Sequence, residues 1–194
     1  MKFILSVLYI GCIGIVFSQL PFTVEEMAPL PESVSNNAVC EGFHNGEAYV
    51  YSFTGIDSSL SQSGIHLKAW RYQVSSDTWI AIDSVPDSQG KIAAAATRIG
   101  DIIYIIGGYY VSPNGSETSS NKVHRFQVST QSFISDGMDI PTAIDDHVQV
   151  VWQDSLIYVV TGWSNNTNVS FVQVYNPSLD VWYTGADVPN SNQY

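Results

Sequence analysis

The chain has 194 residues, of which 45% are hydrophobic, 12% aromatic and only 13% charged. A charged share of about half the usual quarter, together with eleven Tyr, eight Phe and five Trp, excludes a disordered chain or a coiled coil and points to a β-rich protein with a core. Eighteen acidic side chains stand against seven basic ones, a formal net charge of −11. With no basic cluster to offset that charge, nucleic acid and anionic membrane surfaces are excluded as partners.

Met1 and Lys2 precede an apolar run from Phe3 to Phe17, the pattern of a secretory leader and too short to span a bilayer comfortably. Residues 1–18 therefore read as a signal peptide cleaved near Ser18/Gln19, followed by a lead-in over 19–29. The mature chain is expected to be secreted, periplasmic or at the cell surface, with no transmembrane span. Cleavage removes Cys12 and leaves Cys40 alone, so no intramolecular disulfide and no cysteine zinc site is expected. In a eukaryotic host, export would make Asn114, Asn165 and Asn168 potential glycan acceptors, each standing in an Asn-x-Ser/Thr triplet.

Three segments then repeat. Residues 45–55, 100–108 and 154–162 each read as an apolar strand ending in Gly, with a Tyr four residues before that Gly: Tyr51 before Gly55, Tyr104 before Gly108 and Tyr158 before Gly162. Downstream of each comes an aromatic pair: Tyr72 and Trp79, Phe126 and Phe133, Tyr175 and Trp182. The pairs share a seven-residue spacing, and each is followed by a Pro, at Pro86, Pro141 and Pro189. Upstream of the second and third Tyr, Ile92–Thr97 and Val148–Trp152 read as small apolar strands. Polar turns at 75–78, 129–132 and 176–180 separate the last two strands of each unit. Four short antiparallel strands in about fifty residues make a propeller blade, and no segment sustains a helical period.

These features resemble the kelch repeat: a hydrophobic strand ending in Gly-Gly, then a Tyr, a Trp about seven residues on, and a closing Pro. Gly107 and Gly108 match it fully, while the first and third units keep only Gly55 and Gly162. The resemblance covers about residues 30–189 and implies an all-β, kelch-type (galactose-oxidase-like) β-propeller. Its blades lie at about 30–88, 89–141 and 142–189, with a stub at 190–194. Because a propeller closes with about four to eight blades, three blades and a stub are expected to be part of a larger ring. The less favoured alternative is closure by self-association.

In a four-stranded blade, the loop after the second strand and the link to the next blade emerge on one face. The variable loops 56–64, 109–121 and 163–168 and the links 83–91, 139–147 and 187–190 are therefore the expected binding surface. Lys91, Tyr109, Tyr110, Asp145, Asp146, His147 and Trp163 are its candidate residues for a protein or glycan ligand. Asp145, Asp146 and His147 form the sharpest polar cluster, open to a divalent cation or a general base, although turn acids bonding backbone N–H groups are the commoner arrangement. Counting back from Gly100 and Asp154 aligns Lys91 with Asp145, and Asn37 holds that position in the first unit. The paired aromatics and the glycines are structural. No catalytic residue, cofactor or metal is expected: His44, His66 and His124 lack a shared-ligand spacing, and the Tyr, His and Cys constellation of copper-radical oxidases, known on kelch-like propellers, does not assemble. The functional expectation is a non-catalytic binding module. The alternatives are a sugar-acting enzyme resembling exported sialic-acid epimerases, with part of its site in further blades, and an adhesive surface protein.

Overall fold

The computed structural model describes residues 24–189. The proposed leader, the cleavage point, the start of the lead-in and the 190–194 stub lie outside them. The described chain is built from strands, with two single-turn 3-10 segments at Gln62–Gly64 and Val74–Ser76.

The first unit contains β1 (Val34–Ser35), β2 (Ala38–His44), β3 (Glu47–Asp57), β4 (Ile65–Gln73) and β5 (Thr78–Ile82). In the second are β6 (Ile92–Ile99), β7 (Ile102–Val111), β8 (Glu117–Ser119), β9 (Val123–Gln127) and β10 (Ser132–Ile134). The third comprises β11 (Val148–Trp152), β12 (Leu156–Val160), β15 (Val172–Asn176) and β16 (Val181–Thr184), with a small hairpin of β13 (Trp163–Ser164) and β14 (Thr167–Asn168) inserted. Each unit is a four-stranded antiparallel meander, β2-β3-β4-β5, β6-β7-β9-β10 and β11-β12-β15-β16, so the all-β blade architecture is present three times.

The seven-residue aromatic spacing is a hairpin register. Tyr72 pairs with Trp79, Phe126 with Phe133 and Tyr175 with Trp182 across the third and fourth strands. Their ring centroids lie 5.1, 5.1 and 4.8 Å apart, the range of favourable aromatic contacts. The turn between them adds a lock. Asp77 accepts from the Tyr72 hydroxyl at 2.6 Å and from Ala28 N at 2.7 Å. In the third unit Asp180 accepts from the Tyr175 hydroxyl and, at 2.7 Å, from Met138 N. The indole N–H groups of Trp79 and Trp182 donate to the carbonyls of Ala28 and Met138.

Packing between units repeats as well. Tyr51 and Phe53 of the first unit pack with Ile103, Ile105, Phe126 and Phe133 of the second. From the opposite face of the second unit, Tyr104 and Ile106 pack with Ile157, Val159, Tyr175 and Trp182 of the third. Strand alternation separates these two faces. Tyr51 and Tyr104 are thereby buried, whereas Tyr158, at the same place in the third unit, is half-exposed. Around it Val148, Val150, Trp152 and Tyr183 are between 50% and 62% exposed. Among the described residues the third sheet thus presents one covered and one open face.

Two expected loops begin as strand. β3 continues past Gly55 to pair with β1, and β7 continues past Gly108 to pair with β8. The positive-φ glycines bend these strands without ending them, so the segments 56–57 and 109–111 extend the sheet edge.

Candidate functional site

The link from the second to the third unit is threaded over the glycine positions of both strands beside it. Gly107 (φ +67) passes so near Ile144 that a Cβ would lie 2.3 Å from its carbonyl oxygen, and at Gly162 (φ +120) a Cβ would lie 2.5 Å from the oxygen of Asp145. Only glycine fits both the close approach and the left-handed backbone. Gly108 N then donates to Ile144 O at 3.0 Å, and Asp145 and Trp163 exchange two backbone hydrogen bonds of 2.9 Å. The β13–β14 hairpin is tied to β8, with Asn165 N donating to Ser119 Oγ (2.7 Å) and Ser119 N donating to Asn165 Oδ1 (3.1 Å).

Three segments distant in sequence converge in this way on a pocket of about 320 Å³, lined by Tyr109, Glu117, Asp145, Asp146, Thr161, Gly162, Trp163 and Asn168. Trp163 is 36% exposed, whereas Asp145 is 2% exposed and accepts from the Ser119 hydroxyl at 2.6 Å. Burial pushes the Asp145 carboxyl up to about 6. The Ser119 hydrogen bond opposes that rise, while Asp146 and Glu117 add to it. No Lys or Arg lines the pocket.

Four of the seven expected surface residues, Tyr109, Asp145, Asp146 and Trp163, meet at this pocket. The other three lie elsewhere. His147 is packed against Gly107 and Gly162, its Nε2 hydrogen-bonded to Gln149 Oε1 at 3.2 Å. Burial lowers its pKa to about 4, so the ring is neutral and the Asp145-Asp146-His147 run does not act as one constellation. Among the described residues no group of three or more His, Cys, Asp or Glu side chains converges in a way that could hold a metal ion. Cys40 is a buried free thiol, and burial raises its pKa to about 12.

Lys91 is fully buried and so is not a ligand-facing group. Strand pairing shows why its alignment with Asp145 shifts. Ile99 pairs with Ile102 around a two-residue turn, whereas Trp152 pairs with Leu156 around a three-residue turn. The extra residue offsets a count made from the turn, and Lys91 corresponds instead to Ile144: the two carbonyls accept from Gly55 N and Gly108 N respectively. The Lys91 ammonium lies 3.0 Å from Asp87 Oδ2, which also accepts from Tyr110 OH (2.9 Å) and from His124 Nε2 (3.0 Å). His124 Nδ1 lies 3.0 Å from Asp136 Oδ1. Tyr110 therefore belongs to this buried network, and its neighbour Tyr109, on the opposite side of β7, belongs to the pocket.

No family model matches the chain. Kelch-like protein 36 of Bos taurus is 24% identical over 114 residues, covering 59% of this chain and 18% of that protein. Its Mus musculus counterpart is 23% identical over 113 residues, covering 58% and 18%. The solved structure of YjhT superposes with a TM-score of 0.62 at 17% identity, over 84% of this chain and 54% of that one. The chain has the fold of a kelch-type β-propeller and resembles kelch-repeat proteins in sequence. It spans about half the length of the kelch propeller it superposes on and about a fifth of its curated kelch relatives. Among the described residues no helix is long and apolar enough to cross a membrane.

Proposed function

We propose that this kelch chain is an exported binding module whose loop face takes a protein or glycan ligand in the pocket between Tyr109 and Trp163. The observation that carries this reading is convergence: a strand edge, a blade link and an inserted hairpin bring two aromatic rings and three carboxylates around one opening. Aromatic walls with a few fixed polar groups are the usual make-up of a recognition site. Neither a nucleophile–base pair nor a phosphate-cradling loop stands among the lining residues. Export rests on the apolar leader of residues 3–17.

The test is an array of glycans and peptides probed with the wild-type chain and with Trp163→Ala. Ligands retained by the wild type and lost by the variant support the reading. Ligands held equally by both place recognition elsewhere and overturn it.

One observation favours a sugar-acting enzyme as the second reading. The Asp145 carboxyl, held near 6 by burial, sits where a general acid titrates usefully. Three pocket carboxylates disfavour an anionic sugar, so the reading narrows to neutral or cationic ones. A mutarotation assay on neutral hexoses showing no rate above buffer would dismiss it.

A further inference from the structure

The pocket's charge is one-sided. Asp145, Asp146 and Glu117 line it with no cationic side chain among them. Asp145 is the most constrained of the three: at 2% exposure it gives Oδ2 to the Ser119 hydroxyl, while Oδ1 has no hydrogen-bond partner among the described residues. A carboxylate oxygen that accepts from no protein group is free to accept from a ligand donor, and a charge-assisted bond there is stronger than a neutral one. A bare divalent ion is a poor fit for this site, because the acidic groups surround the opening and do not converge on a point.

The walls narrow the chemistry further. Tyr109 and Trp163 flank the same opening, and an aromatic face attracts a cation within about 6 Å of its centroid. A cation held between two rings and a buried carboxylate is stabilised twice, by the ring quadrupoles and by charge-assisted hydrogen bonds. The volume of about 320 Å³ is at the small end of ligand pockets, roughly 300–1,000 Å³, enough for one sugar ring or one side-chain head.

We propose that the pocket recognises a primary ammonium group, seated between Tyr109 and Trp163 with its N–H donors on Asp145. The proposal rests on the binding-module reading and specifies its ligand. An amino sugar and a lysine side chain both carry this chemistry.

The experiment is isothermal titration at pH 7.5 with three probes: methyl glucosaminide, methyl N-acetylglucosaminide and Nα-acetyl-lysine amide. Acetylation removes the charge from the same sugar ring. The free-amine sugar is expected to bind at least tenfold tighter than its acetylated form, and Asp145→Asn, which keeps the acceptor for Ser119, to erase that difference. Comparing the free-amine sugar with the lysine derivative identifies the source of the amine. Equal binding of the free and acetylated sugars, lost together in Trp163→Ala, would overturn the ammonium proposal and leave the binding module standing. A tenfold preference that survives in Asp145→Asn would overturn it as well. If none of the three probes binds while array ligands remain sensitive to Trp163→Ala, the proposal is overturned and the module again stands; if that sensitivity is also missing, both fail.

Discussion

Replacing Asp87 should damage the fold far more than replacing the lysine that pairs with it. Lys91 is fully buried, and the Asp87 side chain is 5% exposed. Two hydrogen-bond donors, His124 at 3.0 Å and Tyr110 at 2.9 Å, and the Lys91 ammonium at 3.0 Å converge on Asp87 Oδ2. Removing one partner of a buried pair costs about 3–5 kcal/mol, because the other charge stays buried without compensation. Asp87→Ala strands Lys91 and frees two further donors, so about 3–5 kcal/mol is expected, a melting loss of roughly 6–20 °C at about 2–4 °C per kcal/mol. Lys91→Met keeps the packing and leaves Asp87 with two donors, so its expected cost is about 1–2 kcal/mol. The double variant should be no less stable than Asp87→Ala alone, a coupling of at least about 1–2 kcal/mol. The assay is urea unfolding of all four proteins, followed by tryptophan fluorescence at pH 7. Equal single losses that add in the double variant would refute the reasoning.

The same network fixes an acid limit. Burial alone would raise the Asp87 pKa, but the His124 hydrogen bond and the Lys91 charge outweigh it and hold the carboxyl well below the usual range. Its contribution is complete above about pH 4, the unfolded value, and is lost as the pH falls through the lowered folded value. The stability gap between wild type and Asp87→Ala should therefore narrow only below pH 4 in acid titrations. Asp145 works in the opposite sense: with its carboxyl raised to about 6, stability should fall by up to about 2–3 kcal/mol as the pH rises from about 4 to about 6, and that slope should be missing from denaturation curves of Asp145→Asn. Trp182, stacked 4.8 Å from Tyr175, should cost about 3 kcal/mol as Ala, whereas Trp163→Ala should change the melting point little and remove ligand binding; equal melting losses would take Trp163 out of the site. Gly162→Ala meets the Asp145 carbonyl at 2.5 Å and should cost more than the roughly 1–2 kcal/mol of a left-handed residue alone, as read by chemical denaturation.

The blades were legible because their signals are local. A seven-residue aromatic spacing is what a short hairpin imposes on two directly opposed residues, as at Phe126 and Phe133. A terminal Gly marks where a link must cross, as at Gly162. Convergence of the loop after the second strand with the blade link followed from strand alternation, and it placed Tyr109, Asp145, Asp146 and Trp163 on one side of the molecule. Glu117 and Asn168 lie in the expected loops but were not singled out as ligand residues, because their place depends on β8 pairing with β7 and on Asn165 reaching Ser119, contacts that no spacing announces. His124 looked solitary for the same reason, since its partners Asp87 and Asp136 lie 37 and 12 residues away. Lys91 was misregistered by one residue in one turn.

Recognition at the Tyr109–Trp163 pocket is tested most directly by hydrogen–deuterium exchange with and without an array-selected ligand. Protection confined to peptides covering residues 109–119, 144–147 and 161–169 is the expected result. Protection instead over Val148–Trp152 and Val181–Thr184, where Val148, Val150, Trp152 and Tyr183 lie open, would contradict the account and move binding from the loop face to the uncovered blade face.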